Sequence, residues 1–138
     1  MYANLCKYNA DTDSLDIYQN GKLIGSLPCG FKKIIFSLTS GKTGWIKVKA
    51  ISNLSVGTYS VTIEAKRTDS GSYNNSNAVS ITKVETSDIS DYSTEKSDKT
   101  MTFTKTFSIT SASDTLYFYL YNSNSAFTYS GTITITKN

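Results

Sequence analysis

The sequence predicts an all-β fold: an antiparallel two-sheet β-sandwich, a jelly roll or a related Greek key, of eight to nine strands in a single domain spanning residues 1–138. Three observations lead there. The chain is rich in Thr, Tyr and Ile and poor in Ala, Glu and Leu, with 10 Tyr and a single Pro, and such residues fit a pleated, half-buried surface. Apolar residues recur with period two in one segment after another. No window of a dozen residues carries a helical stripe. Each sheet patterned this way has one apolar face to bury, and stacking two sheets buries both. At 138 residues the chain is long enough for one self-sufficient core.

The strands are taken in chain order. Residues 15–19 lead into Asn20-Gly21, and residues 22–24 lead away. Asn-Gly between apolar runs is the strongest short hairpin signal, because both residues tolerate the positive φ of a type I′ turn. Residues 31–38 form an apolar run punctuated by lysines. Residues 45–51 alternate, placing Trp45, Lys47 and Lys49 on one face and Ile46, Val48 and Ala50 on the other. Residues 57–66 alternate most cleanly, with Tyr59, Val61, Ile63 and Ala65 inward and Ser60, Thr62, Glu64 and Lys66 outward. Further strands are expected at 77–84, 101–110, 115–121 and 131–137. In the last, Ile133 and Ile135 alternate with Thr132, Thr134 and Thr136. An immunoglobulin-like sandwich fits less well, since Trp45 comes after both cysteines rather than lying between them.

Composition narrows the chemistry. Histidine is absent, which removes Ser-His and Cys-His nucleophile pairs, imidazole bases and His-ligated zinc. A formal charge of +3 is too mild to point to nucleic acid or an anionic membrane, and only one arginine, Arg67, is present to read phosphates. No apolar run reaches the roughly 18 residues of a spanning helix, and the opening residues have no signal-peptide core. Synthesis in the cytosol is the expectation if Met1 is the natural start. Cys6 and Cys29 form no CxxC motif. They read as two reduced, buried thiols, or as a disulfide closing a short loop and stabilising by roughly 3 kcal/mol; cytosolic synthesis favours the thiols.

Carboxylate chemistry is thin. Asn9, Asp11, Asp13 and nearby residues begin like a calcium loop, but the sixth position is Ser14 where Gly belongs and the twelfth is Asn20 where a bidentate Glu belongs. An acidic turn before the first hairpin is the expected role, and no metal or other cofactor is expected. Glycosidic cleavage needs two facing carboxylates. Glu64, Glu85 and Glu95 are the only glutamates, and Glu64 alone falls on a well-patterned strand. No phosphate-cradling glycine loop or nucleophile elbow occurs. The protein is expected not to be an enzyme.

Aromatic residues are the candidates for binding. In residues 115–121, Leu116, Phe118 and Leu120 share one face and Tyr117, Tyr119 and Tyr121 the other, spaced about 7 Å apart. Such a stripe stacks on the apolar C–H faces of sugar rings. It also suits packing beneath a loop or a subunit interface, where Tyr is enriched. Trp45 is the second candidate: among lysines it would stack a sugar or a base or anchor a partner, with Lys32 and Lys33 extending the basic face, or else it folds over the core edge. Three polar segments read as long loops able to carry function: residues 68–76, 85–100 with Tyr92, and 122–127. Asn and Ser side chains at 74–76 and 122–124 are expected to assist the tyrosines.

The block Ser55-Val56-Gly57-Thr58-Tyr59-Ser60-Val61-Thr62-Ile63-Glu64-Ala65-Lys66, with the later stretch 106–120, resembles strands of the carbohydrate-binding-module-like jelly rolls, the galactose-binding-like sandwiches. The resemblance covers roughly residues 55–137. It implies a jelly-roll binding or assembly module of the kind found in bacterial glycan-degrading enzymes and in bacteriophage tail, fibre and capsid-decorating proteins. That family often holds a structural calcium near its start, for which this chain offers no equivalent. The absent leader favours a virion protein, assembled in the host cytoplasm, over a secreted module or part of a larger cell-surface protein. The resemblance implies one of two functions: a non-catalytic glycan-binding module for phage host recognition or attachment, or a structural virion component acting through contacts with other virion subunits. The expected partners are a cell-surface glycan or other virion subunits, without nucleic acid or membrane insertion; a homo-oligomer is possible.

Overall fold

The computed structural model describes residues 4–9, 11, 14–28 and 30–138. The chain begins with a three-stranded meander: β1 (Asn4–Asn9), β2 (Ser14–Gln19) and β3 (Lys22–Pro28), hydrogen-bonded in that order. The β2–β3 turn has the geometry its sequence demands, with φ of 53° at Asn20 and 78° at Gly21. The remaining strands build two four-stranded antiparallel sheets. One runs β4 (Phe31–Leu38), β11 (Tyr129–Lys137), β6 (Gly57–Arg67), β9 (Thr100–Ile109). The other runs β5 (Gly44–Ile51), β10 (Leu116–Asn122), β7 (Ala78–Thr82), β8 (Ser93–Thr94).

Each sandwich strand pairs with its mirror image about the β7–β8 pair: β4 with β11, β5 with β10, β6 with β9. A long hairpin ribbon is thus wound into two sheets, and the contacts β11–β6 and β10–β7 close the winding. This is the jelly-roll arrangement. The all-β sandwich expected from the sequence is therefore present, with eight strands. The hairpin at residues 15–24 is a sheet apart from the sandwich, and two strands, β1 and the two-residue β8, have too little pattern to be seen in the sequence.

The core lies between the sheets. From the first come Tyr59, Val61, Ile63, Ala65, Met101, Phe103, Ile133 and Ile135; from the second come Val79, Ile81, Leu116, Phe118 and Leu120. The inward set expected for β6 is buried in full. One assignment needs correction. Between β5 and β10 the register slips, because Phe118 faces Lys49 while Tyr119 faces Lys47. Val48 is the extra residue of a β-bulge, which inverts the alternation beyond it. Ile51, not Ala50, joins the core, and Ala50 is exposed. Cys6 also departs from expectation: it is a free thiol and exposed on β1, while Cys29 lies outside the described residues.

Gly131 has no room for a side chain. A Cβ there would overlap the backbone oxygen of Glu64 and the ring of Phe36. Backbone cannot step aside as a flexible side chain can, so Gly131→Ala is expected to destabilise the sandwich by about 1–3 kcal/mol. A urea-unfolding midpoint unchanged from wild type would contradict this.

Candidate functional site

The second sheet turns its outer face, carrying Trp45, Lys47, Tyr117, Tyr119 and Tyr121, away from the core. Residues 83–92 leave β7 and cross that face as a strap before returning to β8. The Thr86 N–H donates to the Tyr119 hydroxyl at 3.1 Å, the Lys47 ammonium donates to Glu85 at 2.7 Å, and the Ser80 hydroxyl donates to the Asp91 carbonyl at 2.5 Å. Lys105 pairs with Asp91 at 3.2 Å. The strap therefore covers the middle of the tyrosine stripe.

That covering divides the expected platform. Tyr119 is only 4% exposed, so its ring offers no face to a ligand. Tyr117 remains half-buried, with the Lys47 ammonium 5.8 Å from its ring centre. Tyr121 lies at the other end of the stripe and meets Trp45 edge to face, at 5.3 Å between ring centres. Trp45 in turn meets Tyr92 of the strap at 5.7 Å. Trp45 is thus held among aromatic rings rather than lysines, a favoured geometry for ring quadrupoles. Lys32 and Lys33 belong to β4 in the opposite sheet and do not extend a basic face around it.

Trp45, Tyr92 and Tyr121 line a cleft of about 310 Å³ with Asn75, Ser76 and Thr94 at its rim. Ala78 and Ile89 complete it. No charged side chain is among the described residues that line it. Two of the four expected site residues, Trp45 and Tyr121, come together here, and the 74–76 loop places Asn75 and Ser76 beside them. Asn122 does not: it is buried, accepting from the Tyr129 hydroxyl at 2.7 Å and donating to the Lys42 carbonyl at 2.7 Å. Tyr92 carries no pattern that marks it as a partner of Trp45, since a loop aromatic shows its neighbours only once the loop is placed.

The cleft rim is held by a buried ionic cluster. Arg67, the last residue of β6, has a fully buried side chain. Its guanidinium grips Asp69 with two nitrogens, donates to the Ser72 carbonyl at 2.7 Å, and donates to Glu95 at 3.3 Å. Its flat face stacks on Phe127 at 3.4 Å. Glu95, also fully buried, accepts from the Asn74 N–H at 2.7 Å and from the Asn77 amide at 3.0 Å. The Asn74 side chain then accepts from the Ser76 N–H at 2.9 Å, fixing the turn that presents Asn75 and Ser76. Lys99, at φ 67°, donates to the carbonyls of Asp69 and Gly71. Lone residues of common type, Arg67 and Glu95 gave no motif; their burial is the only signal, and burial is tertiary.

The Asp69 carboxyl is held well below the ordinary carboxylate range, chiefly by the Arg67 guanidinium and then by the N–H groups of Gly71 and Thr128. A depressed carboxyl contributes stability that is complete above the unfolded-state value near pH 4 and is lost as the pH falls further. Asp16 of the N-terminal sheet is also lowered, first by the Ser26 hydroxyl, then by Asn9; its partners are neutral side chains. The described residues hold no group of three metal-ligating side chains, and Asp13 lies outside them. No helix of the described residues is long and apolar enough to cross a membrane.

No protein-family model, curated protein or solved structure matches this chain.

Replacing Glu95 with Gln leaves Arg67 short of one buried counter-charge, and breaking such a pair costs about 3–5 kcal/mol. The expected result is a large drop in the urea midpoint of Glu95→Gln at pH 7. For Asp69→Asn, the gap from wild type is expected to narrow as pH is lowered from 5 to 2. A gap constant across that range would show that the Asp69 charge is not what the cluster uses.

Proposed function

We propose that this protein is a non-catalytic carbohydrate-binding module that receives a neutral sugar ring in the cleft of Trp45, Tyr92 and Tyr121. The observation that carries this reading is the cleft's composition: three aromatic rings with amide and hydroxyl groups at the rim and no charge. Aromatic faces take up the apolar C–H faces of a pyranose, while Asn75, Ser76 and Thr94 are of the type that hydrogen-bonds its hydroxyls. Rings already packed edge to face lose little conformational freedom on binding, which favours affinity at a small site. The reading is of binding, since the lining offers stacking and hydrogen-bonding groups rather than the facing carboxylates that glycosidic cleavage uses.

A phage particle as the setting, with host recognition or attachment as the role, is supported by the sequence resemblance alone. The alternative, a structural virion subunit, has its own observation. Tyr8 and Leu5 are 59% and 55% exposed on the N-terminal sheet, and β4 and β9 are open edges of their sheet, a surface that assembly would cover.

A glycan-array screen of the wild type beside Trp45→Ala and Tyr92→Ala tests the binding reading. Binding that falls tenfold or more in either variant, about 1.4 kcal/mol, is the expected outcome. A folded wild type that captures no glycan sinks the proposal, and a defined multimer in solution would then favour the subunit role.

A further inference from the structure

A second depression adjoins the aromatic cleft. It lies between the strap and β9, has a volume of about 560 Å³, and shares Ile89 with the cleft. Its floor is apolar: Ile81 and Phe107 are nearly buried, while Val84 is 68% exposed. The rim is mixed. Lys105 is held by Asp91, and Lys83 by the Ser108 carbonyl at 2.7 Å and by Asp114 at 3.5 Å. Asp88 has no ion-pair partner among the described residues, and its own N–H is turned back to the Thr86 hydroxyl. The groove therefore offers an apolar patch, one uncommitted carboxylate as acceptor, and the Ser90 hydroxyl.

Plain sugar hydroxyls would leave that floor without a partner. An acetamido group does not. Its methyl matches Val84 and Ile89, its N–H matches the Asp88 carboxylate, and its carbonyl matches a hydroxyl or ammonium donor. Ile89 lines both depressions, so the groove is placed beside the cleft, where a neighbouring ring of the same glycan would fall. We propose that the groove is a second subsite selecting a 2-acetamido sugar in a glycan whose neighbouring ring occupies the aromatic cleft. This inference rests on the glycan-binding reading of that cleft.

Calorimetric titration with three oligomer series of equal length tests it: N-acetylglucosamine, glucosamine and glucose. Val84→Asn and Asp88→Asn are the variants, both at exposed positions where folding is checked by circular dichroism. The expected result is wild-type affinity at least tenfold higher for the acetylated series, a preference that shrinks severalfold in each variant while glucose-oligomer affinity stays unchanged. Equal affinity for all three series overturns the groove assignment and leaves the cleft reading standing. A preference that survives both variants also overturns it, by moving acetyl recognition elsewhere. Absence of binding in every series overturns the inference together with the reading beneath it.

Discussion

The arrangement of this molecule's functional end depends on one buried cation. Arg67 brings a guanidinium into a place without water, and such a charge persists only if nearly every donor finds an acceptor. Asp69 takes two nitrogens, the Ser72 carbonyl and Glu95 take a third, and Phe127 covers the plane. Those partners come from all three long polar segments between strands. The 68–77 loop gives Asp69 and Ser72, the segment before β9 gives Glu95, and the segment before β11 gives Phe127. A planar fork satisfies partners in several directions at once; a lysine ammonium is a point charge and does not. The cluster adds little net stability of its own, because desolvation offsets much of the attraction. What it contributes is position: Glu95 holds Asn74 and Asn77, and through Asn74 the turn bearing Asn75 and Ser76.

The second constraint is the brevity of β8. Only Ala78 and Val79 of β7 have partners there, so the chain between β7 and β8 need not run beside its neighbour. It crosses the outer face of the sheet instead and is fastened through Thr86 to Tyr119. This choice of path decides which tyrosine meets solvent. Tyr119 becomes a buried anchor, whereas Tyr121 is left for Trp45 and Tyr92. The bulge at Val48 acts on the same face by re-phasing β5, which keeps Trp45 outward at one end while sending Ile51 into the core at the other.

Much of the fold was legible because a strand's side-chain period is local. Tyr59, Val61, Ile63 and Ala65 could be assigned to the core from their spacing, and the Asn20-Gly21 turn from the φ values those residues tolerate. β8 was not legible, since two residues cannot show a period. The Val48 bulge was not, since an inserted residue leaves the apolar alternation of Ile46 and Val48 intact and re-phases only Lys49, Ala50 and Ile51. At the site, Trp45 and Tyr121 were visible as outward aromatics. Their convergence with Tyr92, across 47 and 29 residues of chain respectively, was not.

The sequence by itself determined the longer patterned strands, the class of fold and the exclusion of histidine chemistry, because composition and period are properties of short segments. Only the tertiary structure decided which aromatics form a cleft, that Arg67 and Glu95 are buried partners, and that Tyr119 is covered. Those outcomes depend on the path of loops whose polar sequences suit many conformations equally, and the choice among them is made where the loops meet, around a charge that must be satisfied away from water.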